Sequence, residues 1–142
     1  MDEGPEARVR ASFARQSLMQ TFGASLEELA PGLCTIAAPI GPNVRQQHDV
    51  GHAGLTFALG DTAAGYAALT LMPEGAEVMT VEMKINLMAP AAGARLIATG
   101  RVVRAGRRLT VVTAEVEAET EAGTRRTIAL LQGTMIAVGP AG

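Results

Sequence analysis

Residues 52–72 read HAGLTFALGDTAAGYAALTLM, and this stretch decides the fold. Asp61 is its only charged residue, and Pro73, which cannot continue a helix, follows it directly. A stretch of this length that is apolar on every side predicts one long buried helix. Each of its glycines costs about 1 kcal/mol relative to alanine in a helix, so we expect a closely packed sheet to hold it. A carboxylate near its centre argues against a membrane span.

The composition limits the kind of domain to which this helix belongs. The chain has 142 residues, which predicts a single domain spanning residues 1–142. Its formal net charge is −2 and only 3% of its residues are aromatic, so we expect no nucleic-acid partner. The single cysteine, Cys34, is predicted to be a buried apolar residue. The acidic first residues lack the pattern of a secretory signal, and with the lone cysteine they favour a cytoplasmic location.

The segments on both sides of the long helix predict an α+β domain. Before it come an amphipathic pattern over 5–22, which predicts an N-terminal helix, a weakly alternating first strand over 32–40 and a polar loop over 41–51. After it, turn residues separate four more predicted strands, at 76–88, 95–105, 107–120 and 124–138. We therefore expect an antiparallel sheet of about five strands.

The start and the middle of the long helix carry the residues with the clearest chemistry. The N–H groups of Ala53 and Gly54 lie in the first turn, where they lack intrahelical partners and can receive a negatively charged oxygen. Asp61, partly removed from water, can act as a general base on water or as a nucleophile on an acyl carbonyl. Three further side chains are candidates for positioning the carbonyl and the water, namely Gln46, His52 and Thr80.

The polar residues around the helix start also have structural interpretations. His52 can simply fix the loop to the helix through its ring nitrogens, and Asp49 can cap the helix. We expect no metal at His48, Asp49 and His52, because no further Cys or Glu lies nearby in the sequence. His48 is also a candidate for substrate binding. Arg107 and Arg108 could hold a phosphate of a substrate, although a solvated turn is the simpler interpretation.

Three motifs together resemble one known family. They are QQHDVGHAG at 46–54, LGDTAAGYAA at 59–68 and TVEMKINLMAP at 80–90. In this order and at this spacing they resemble the hotdog-fold acyl-CoA thioesterases of the PaaI type, over about residues 33–138. The resemblance implies a curved antiparallel sheet around a central helix. It also implies hydrolysis of acyl-CoA or aryl-CoA thioesters without a metal or other cofactor.

The same resemblance implies roles for individual residues. Asp61 matches the family's catalytic Asp, and His52 with the two residues that follow matches its His-Gly-Gly step, in which the amide at position 53 belongs to the oxyanion site. Gln46 matches a polar Asn or Gln, and Thr80 a strand Ser or Thr. This chain departs from the pattern in having Ala53 and Asp49 where glycine is usual. The alanine methyl group implies a narrower substrate choice or a lower rate.

Helix geometry predicts that one active site needs two chains. Ala53 and Asp61 are eight positions apart, which separates their backbones by about 12 Å along one axis, too far for both to serve one reacting carbon. Two antiparallel copies of the helix would bring them together, and the resemblance likewise implies homodimers that pair into homotetramers. A non-catalytic acyl-CoA-binding protein and a hydratase remain alternatives on the same fold. The acyl group is left open.

Overall fold

The computed structural model describes residues 4–139 and shows a six-stranded antiparallel sheet packed on one long helix. The elements in chain order are α1 (Pro5–Ala14), α2 (Ser17–Phe22), β1 (Ser25–Ala30), β2 (Leu33–Pro39), α3 (Ala53–Leu69), β3 (Glu77–Leu87), β4 (Arg95–Ala105), β5 (Leu109–Glu119) and β6 (Arg125–Val138). The strands lie in the order β1-β2-β4-β5-β6-β3, so β1 and β3 form the two edges. This α+β arrangement is the hotdog architecture that the resemblance implied.

Helix α3 is buried, as its apolar sequence predicts. His52 is the residue that caps its start, and Thr70 ends it by donating its hydroxyl to the Ala67 carbonyl at 2.6 Å. The expected close packing of the sheet on this helix is seen at Gly100 on β4. A Cβ atom at Gly100 would overlap the backbone of Ala63 on the helix, so these two elements cannot pack this closely with a larger residue there.

The hydrophobic core lies between α3 and the inner face of the sheet. Fully buried side chains on the helix, such as Leu55 and Leu59, meet Leu96 and Met135 of the sheet within one cluster. Cys34 on β2 belongs to this core, as predicted, and burial raises the pKa of its thiol to about 12. The thiol therefore stays protonated and unreactive at physiological pH.

Two features of the first 30 residues differ from the prediction. The N-terminal helix is broken into α1 and α2, because Gln16 adopts an extended backbone conformation and directs its side chain to Tyr66 on α3. Strand β1 was not predicted at all, so the sheet has six strands rather than about five. The bulge between Leu26 and Glu28 explains the miss, since it places Leu26 and Leu29 opposite the buried Ile36 and Cys34 at a spacing of three residues.

Among residues 4–139, no helix is long and apolar enough to span a membrane.

Candidate active site

The loop over residues 41–51 is held in one conformation by its own hydrogen bonds. Arg45 donates to the carbonyl oxygens of Ile40 at 2.7 Å and Asp49 at 3.0 Å. The Gly51 N–H donates to Ala91 at 2.8 Å, and the His52 N–H donates to Val44 at 2.9 Å. These hydrogen bonds hold the loop against neighbouring segments of the same chain and fix the direction in which α3 begins.

The interpretation of Asp49 as the helix cap is wrong. Asp49 has a φ of 63°, a left-handed conformation in which glycine is favoured, and its exposed carboxylate pairs with Arg45 at 3.4 Å. The cap is His52, whose Nδ1 accepts a hydrogen bond from the Gly54 N–H at 2.7 Å. The left-handed conformation explains why glycine is usual at position 49. His52 fixes the loop to the helix, as its structural interpretation proposed.

The helix start offers one free donor rather than the two expected. The Gly54 N–H is occupied by the His52 ring, whereas the Ala53 N–H makes no hydrogen bond to any group within residues 4–139. Because Nδ1 of His52 acts as an acceptor, the neutral ring carries its proton on Nε2. A negatively charged oxygen placed before this helix would therefore meet the Ala53 N–H and the positive end of the helix dipole.

A cavity of about 510 Å³ lies directly in front of this helix start. It brings together four of the predicted residues, Gln46, His48, His52 and Ala53, and its other lining residues are Val50, Gly51, Thr56, Leu87, Ala89, Pro90, Ala91 and Ile128. The Gln46 side-chain oxygen accepts from the His48 N–H, so this bond fixes the amide. The lining is mostly apolar, which suits an uncharged thioester carbon next to a hydrogen-bond donor.

The middle of α3 carries the second group of predicted residues. Thr80 on β3 donates its hydroxyl to Oδ1 of Asp61 at 2.7 Å. Burial raises the pKa of Asp61 above its usual value, and the Thr80 hydrogen bond opposes that rise by favouring the ionised form. The carboxylate is thus more basic than an exposed aspartate and is held in a fixed orientation.

A bulge in β3 is what brings Thr80 to this position. Even-numbered and odd-numbered residues of a regular strand point to opposite faces. The register shift between Thr80 and Glu82 lets Thr80 face Met135 while Met83 and Ile85 also face the core. The alternation of faces along this strand is therefore interrupted, and without the bulge Thr80 and Met83 would lie on opposite faces.

Asp61 and Thr80 line a second cavity, of about 400 Å³, which we call the Asp61 trough. Its other lining residues are Gln16, Leu18, Phe57, Ala58, Thr62, Gly65, Tyr66, Val78 and Met135. The sequence interpretation missed the contribution of Gln16, Leu18 and Tyr66. One signal could have indicated it, because a lone tyrosine on a buried helix needs a hydrogen-bond partner from elsewhere in the chain.

The two groups of predicted residues do not meet within one chain. Gln46, His52 and Ala53 line one cavity, Asp61 lines the other, and neither cavity includes Arg107 or Arg108. The two arginines lie exposed on the turn between β4 and β5. Within the described part of the chain, no group of three or more His, Cys, Asp or Glu residues could hold a metal ion.

A six-stranded antiparallel sheet packed on one long buried helix is the fold of the hotdog thioesterases, and comparisons agree. The Thioesterase superfamily model matches residues 48–124. A crystal structure of a thioesterase family protein from Silicibacter pomeroyi shares 43% identity over 95% of this chain and 98% of its own, with a TM-score of 0.92. The chain therefore belongs to the thioesterase superfamily.

More distant structures share the fold. A conserved protein from Pseudomonas aeruginosa is 28% identical over 87% of this chain and 94% of its own, with a TM-score of 0.77. The PaaI protein of the Escherichia coli phenylacetic acid degradation operon is 20% identical over 95% and 94%, with a TM-score of 0.82. A search of curated proteins found no significant match.

Proposed function

We propose that this protein hydrolyses acyl-CoA or aryl-CoA thioesters to the free acid and CoA in an active site shared by two copies of the chain. The observation that carries the proposal is the separation of the two cavities. One is lined by a basic carboxylate but not by Ala53, and the other is lined by Ala53, whose N–H is free, but by no carboxylate of residues 4–139. Each half lacks what the other supplies.

Strand β3 supports the pairing of two chains. It is an edge strand of 11 residues, and it exposes apolar side chains at Met79, Val81 and Leu87, each more than half accessible. Long apolar edges of this kind invite pairing with another strand. Thr80 lines the Asp61 trough and Leu87 lines the helix-start cavity. Antiparallel pairing of two β3 strands about a two-fold axis near the middle of the strand would bring these cavities together.

In this shared site the reaction follows from the two sets of groups. The thioester carbonyl oxygen would accept from Ala53 N–H of the partner subunit, at the positive end of its helix. Asp61 either removes a proton from the attacking water or attacks the carbonyl carbon itself. On either route the C–S bond of the tetrahedral intermediate breaks, and CoA leaves as a thiolate that takes up a proton. If Asp61 is the nucleophile, water then cleaves the resulting anhydride to release the free acid. Gln46 and His48 would border the carbonyl, with Thr80 orienting the carboxylate.

The test measures hydrolysis of a panel of acyl-CoA and aryl-CoA thioesters by detecting the free CoA thiol that is released. We expect turnover by the native protein and a loss of about 100-fold or more in Asp61→Asn, which keeps the side-chain shape but removes the base. Circular dichroism and thermal melting should show a folded variant. Native-like turnover by Asp61→Asn would overturn the assigned mechanism, and binding without turnover by the native protein would favour the non-catalytic alternative.

A further inference from the structure

The Asp61 trough has a floor and two walls that come from distant parts of the chain. One face of α3 forms the floor, from Phe57 through Asp61 to Tyr66. Val78, Thr80 and Met135 of the sheet form one wall. The opposite wall is the junction of α1 and α2, which contributes Gln16 and Leu18. This N-terminal wall lies outside residues 48–124, to which the superfamily model matches.

The N-terminal wall is anchored to the floor by the hydroxyl of Tyr66. Gln16 Nε2 donates to this hydroxyl at 2.8 Å, and Ser12 Oγ shares a second hydrogen bond with it at 2.9 Å. The ring of Phe13 packs edge-on against the Tyr66 ring, with centroids 6.3 Å apart. Leu18, by contrast, is 50% exposed, although it is a large apolar residue beside a cavity. The wall is therefore fixed in position and presents an apolar side chain to the trough.

The lining of the trough defines what it can accept. Asp61 is the only charged residue among its lining residues within 4–139, and most of the others are apolar. An acyl group that carries a carboxylate would meet the negative charge of Asp61 without a cation to compensate it. An uncharged acyl chain would instead bury apolar surface against Leu18, Phe57 and Met135.

Gly65 lies on the floor of the trough, where its lack of a side chain leaves space open. A Cβ atom at this position would lie 3.8 Å from Cε of Met135 and 3.9 Å from Cγ1 of Val78, which is ordinary contact distance. An alanine therefore fits without displacing its neighbours, and its methyl group would occupy space in the trough. Leu18→Ala would have the opposite effect, because it removes volume from the N-terminal wall.

On the basis of the proposed thioester hydrolysis, we infer that the Asp61 trough holds the acyl chain of an uncharged substrate. We further infer that Leu18 and Gly65 set the length of chain that it accepts. The N-terminal helices are then a specificity element of this enzyme, and Tyr66 is the residue that positions them.

The experiment measures kcat/KM for straight-chain saturated acyl-CoAs of increasing length and for succinyl-CoA. We expect Leu18→Ala to raise the ratio of long-chain to short-chain kcat/KM by about tenfold, and Gly65→Ala to lower it by a similar factor, since one methylene in an apolar pocket is worth about tenfold or more. Leu71→Ala is the matched control, because Leu71 is 47% exposed and lies outside the trough. Succinyl-CoA should be the poorest substrate of its length.

Unchanged ratios, or shifts of Leu18→Ala and Gly65→Ala in the same direction, would overturn the inference. Thermal melting checks that both variants fold. Tyr66→Phe removes both hydrogen bonds to the N-terminal wall. It should reduce the discrimination between long and short acyl chains by about fivefold or more, through KM of the longer substrates rather than through kcat.

A binding measurement separates failure of this inference from failure of the proposed function. Non-hydrolysable thioether analogues of the same acyl-CoAs are titrated into the native protein, Leu18→Ala and Gly65→Ala by calorimetry. If no thioester is cleaved but the preferred analogue length still shifts in opposite directions, the trough assignment stands and the hydrolytic function fails. If thioesters are cleaved and the length preference does not shift, the inference alone is wrong.

Discussion

The start and the middle of helix α3 belong to one rigid element but have opposite properties. The start presents an unoccupied backbone donor at the positive end of the helix dipole, and no Asp, Glu, Lys or Arg among residues 4–139 lines the cavity in front of it. The middle presents a carboxylate whose pKa is raised by burial, in a trough that holds no other charge among its lining residues in 4–139. One region can stabilise a negatively charged oxygen, and the other can supply a base.

This difference shows why the two regions are separated. If Asp61 lay beside the Ala53 N–H, the carboxylate would accept that hydrogen bond itself, its pKa would fall and the donor would no longer be available to a substrate. The eight positions between Ala53 and Asp61 keep the two groups apart within one chain, and in the proposed shared site a second chain would bring them to the same carbonyl. The predictions below test this division of roles, beginning with the largest expected effect.

The largest effect is expected when two inactive variants are mixed. Asp61→Asn removes the base. Ala53→Pro removes the free donor with little disturbance, because position 53 is the first helical residue, where proline is favoured, and His52 already has an extended conformation. Each variant should lose about 100-fold or more in kcat.

After subunit exchange, each mixed dimer regains one of its two sites, so an equal mixture should recover about a quarter of the native activity. Native mass spectrometry of one isotope-labelled variant confirms the exchange. If exchange is complete and activity stays at the level of the parents, each chain carries a whole site and the division of roles is wrong.

A smaller effect is expected from Thr80→Ala. The Thr80 hydroxyl stabilises the ionised form of Asp61, so its loss should raise the pKa of Asp61 further. Because the ionised carboxylate is the active form, the acidic limb of the kcat/KM profile should move to higher pH, with a loss of about fivefold near the optimum. Thr134→Ala is the control, since Thr134 donates to Glu82 at the same 2.7 Å distance but lines neither cavity. A shift in both variants, or in neither, would contradict this role.

Substitutions of His52 test whether the imidazole only caps the helix. His52→Ala should cost about 1 kcal/mol of unfolding free energy, whereas His52→Asn should retain most of it, because asparagine is a good N-cap residue. If His52 acts only as the helix cap, kcat should depend on whether the cap is kept, so His52→Asn should remain close to the native kcat. If His52→Asn is as inactive as His52→Ala while its melting temperature stays high, the imidazole takes a direct part in the reaction.

The smallest effect is expected from the arginines on the β4–β5 turn. Arg107 and Arg108 are exposed and line neither cavity, so a contact with a CoA phosphate would be screened by solvent. The double variant Arg107→Ala with Arg108→Ala should raise KM by about two- to fivefold without changing kcat, and salt should reduce this difference. A large loss of kcat would instead place these arginines at the reacting groups.

The sequence by itself determined the main elements of the fold. The uninterrupted apolar run with Asp61 at its centre fixed α3, because a helix apolar on all sides must be covered. The turn residues fixed all four strands after it to within two residues at each end, as the bounds of β3, β4, β5 and β6 show. The spacing of Ala53 and Asp61 already indicated that the two could not act on the same carbon from one chain.

Only the tertiary structure decided the features that depend on irregular backbone or on distant contacts. One bulge interrupts β1, and another in β3 allows Thr80 to face Met135. A bulge breaks the two-residue period on which strand prediction depends. The break at Gln16 is stabilised by Tyr66, 50 residues later in the chain. The capping role of His52 and the occupation of the Gly54 N–H depend on a side-chain orientation that sequence spacing does not specify. Local pattern encodes which surfaces must be buried, whereas the partner of each polar group is set by the packing of remote segments.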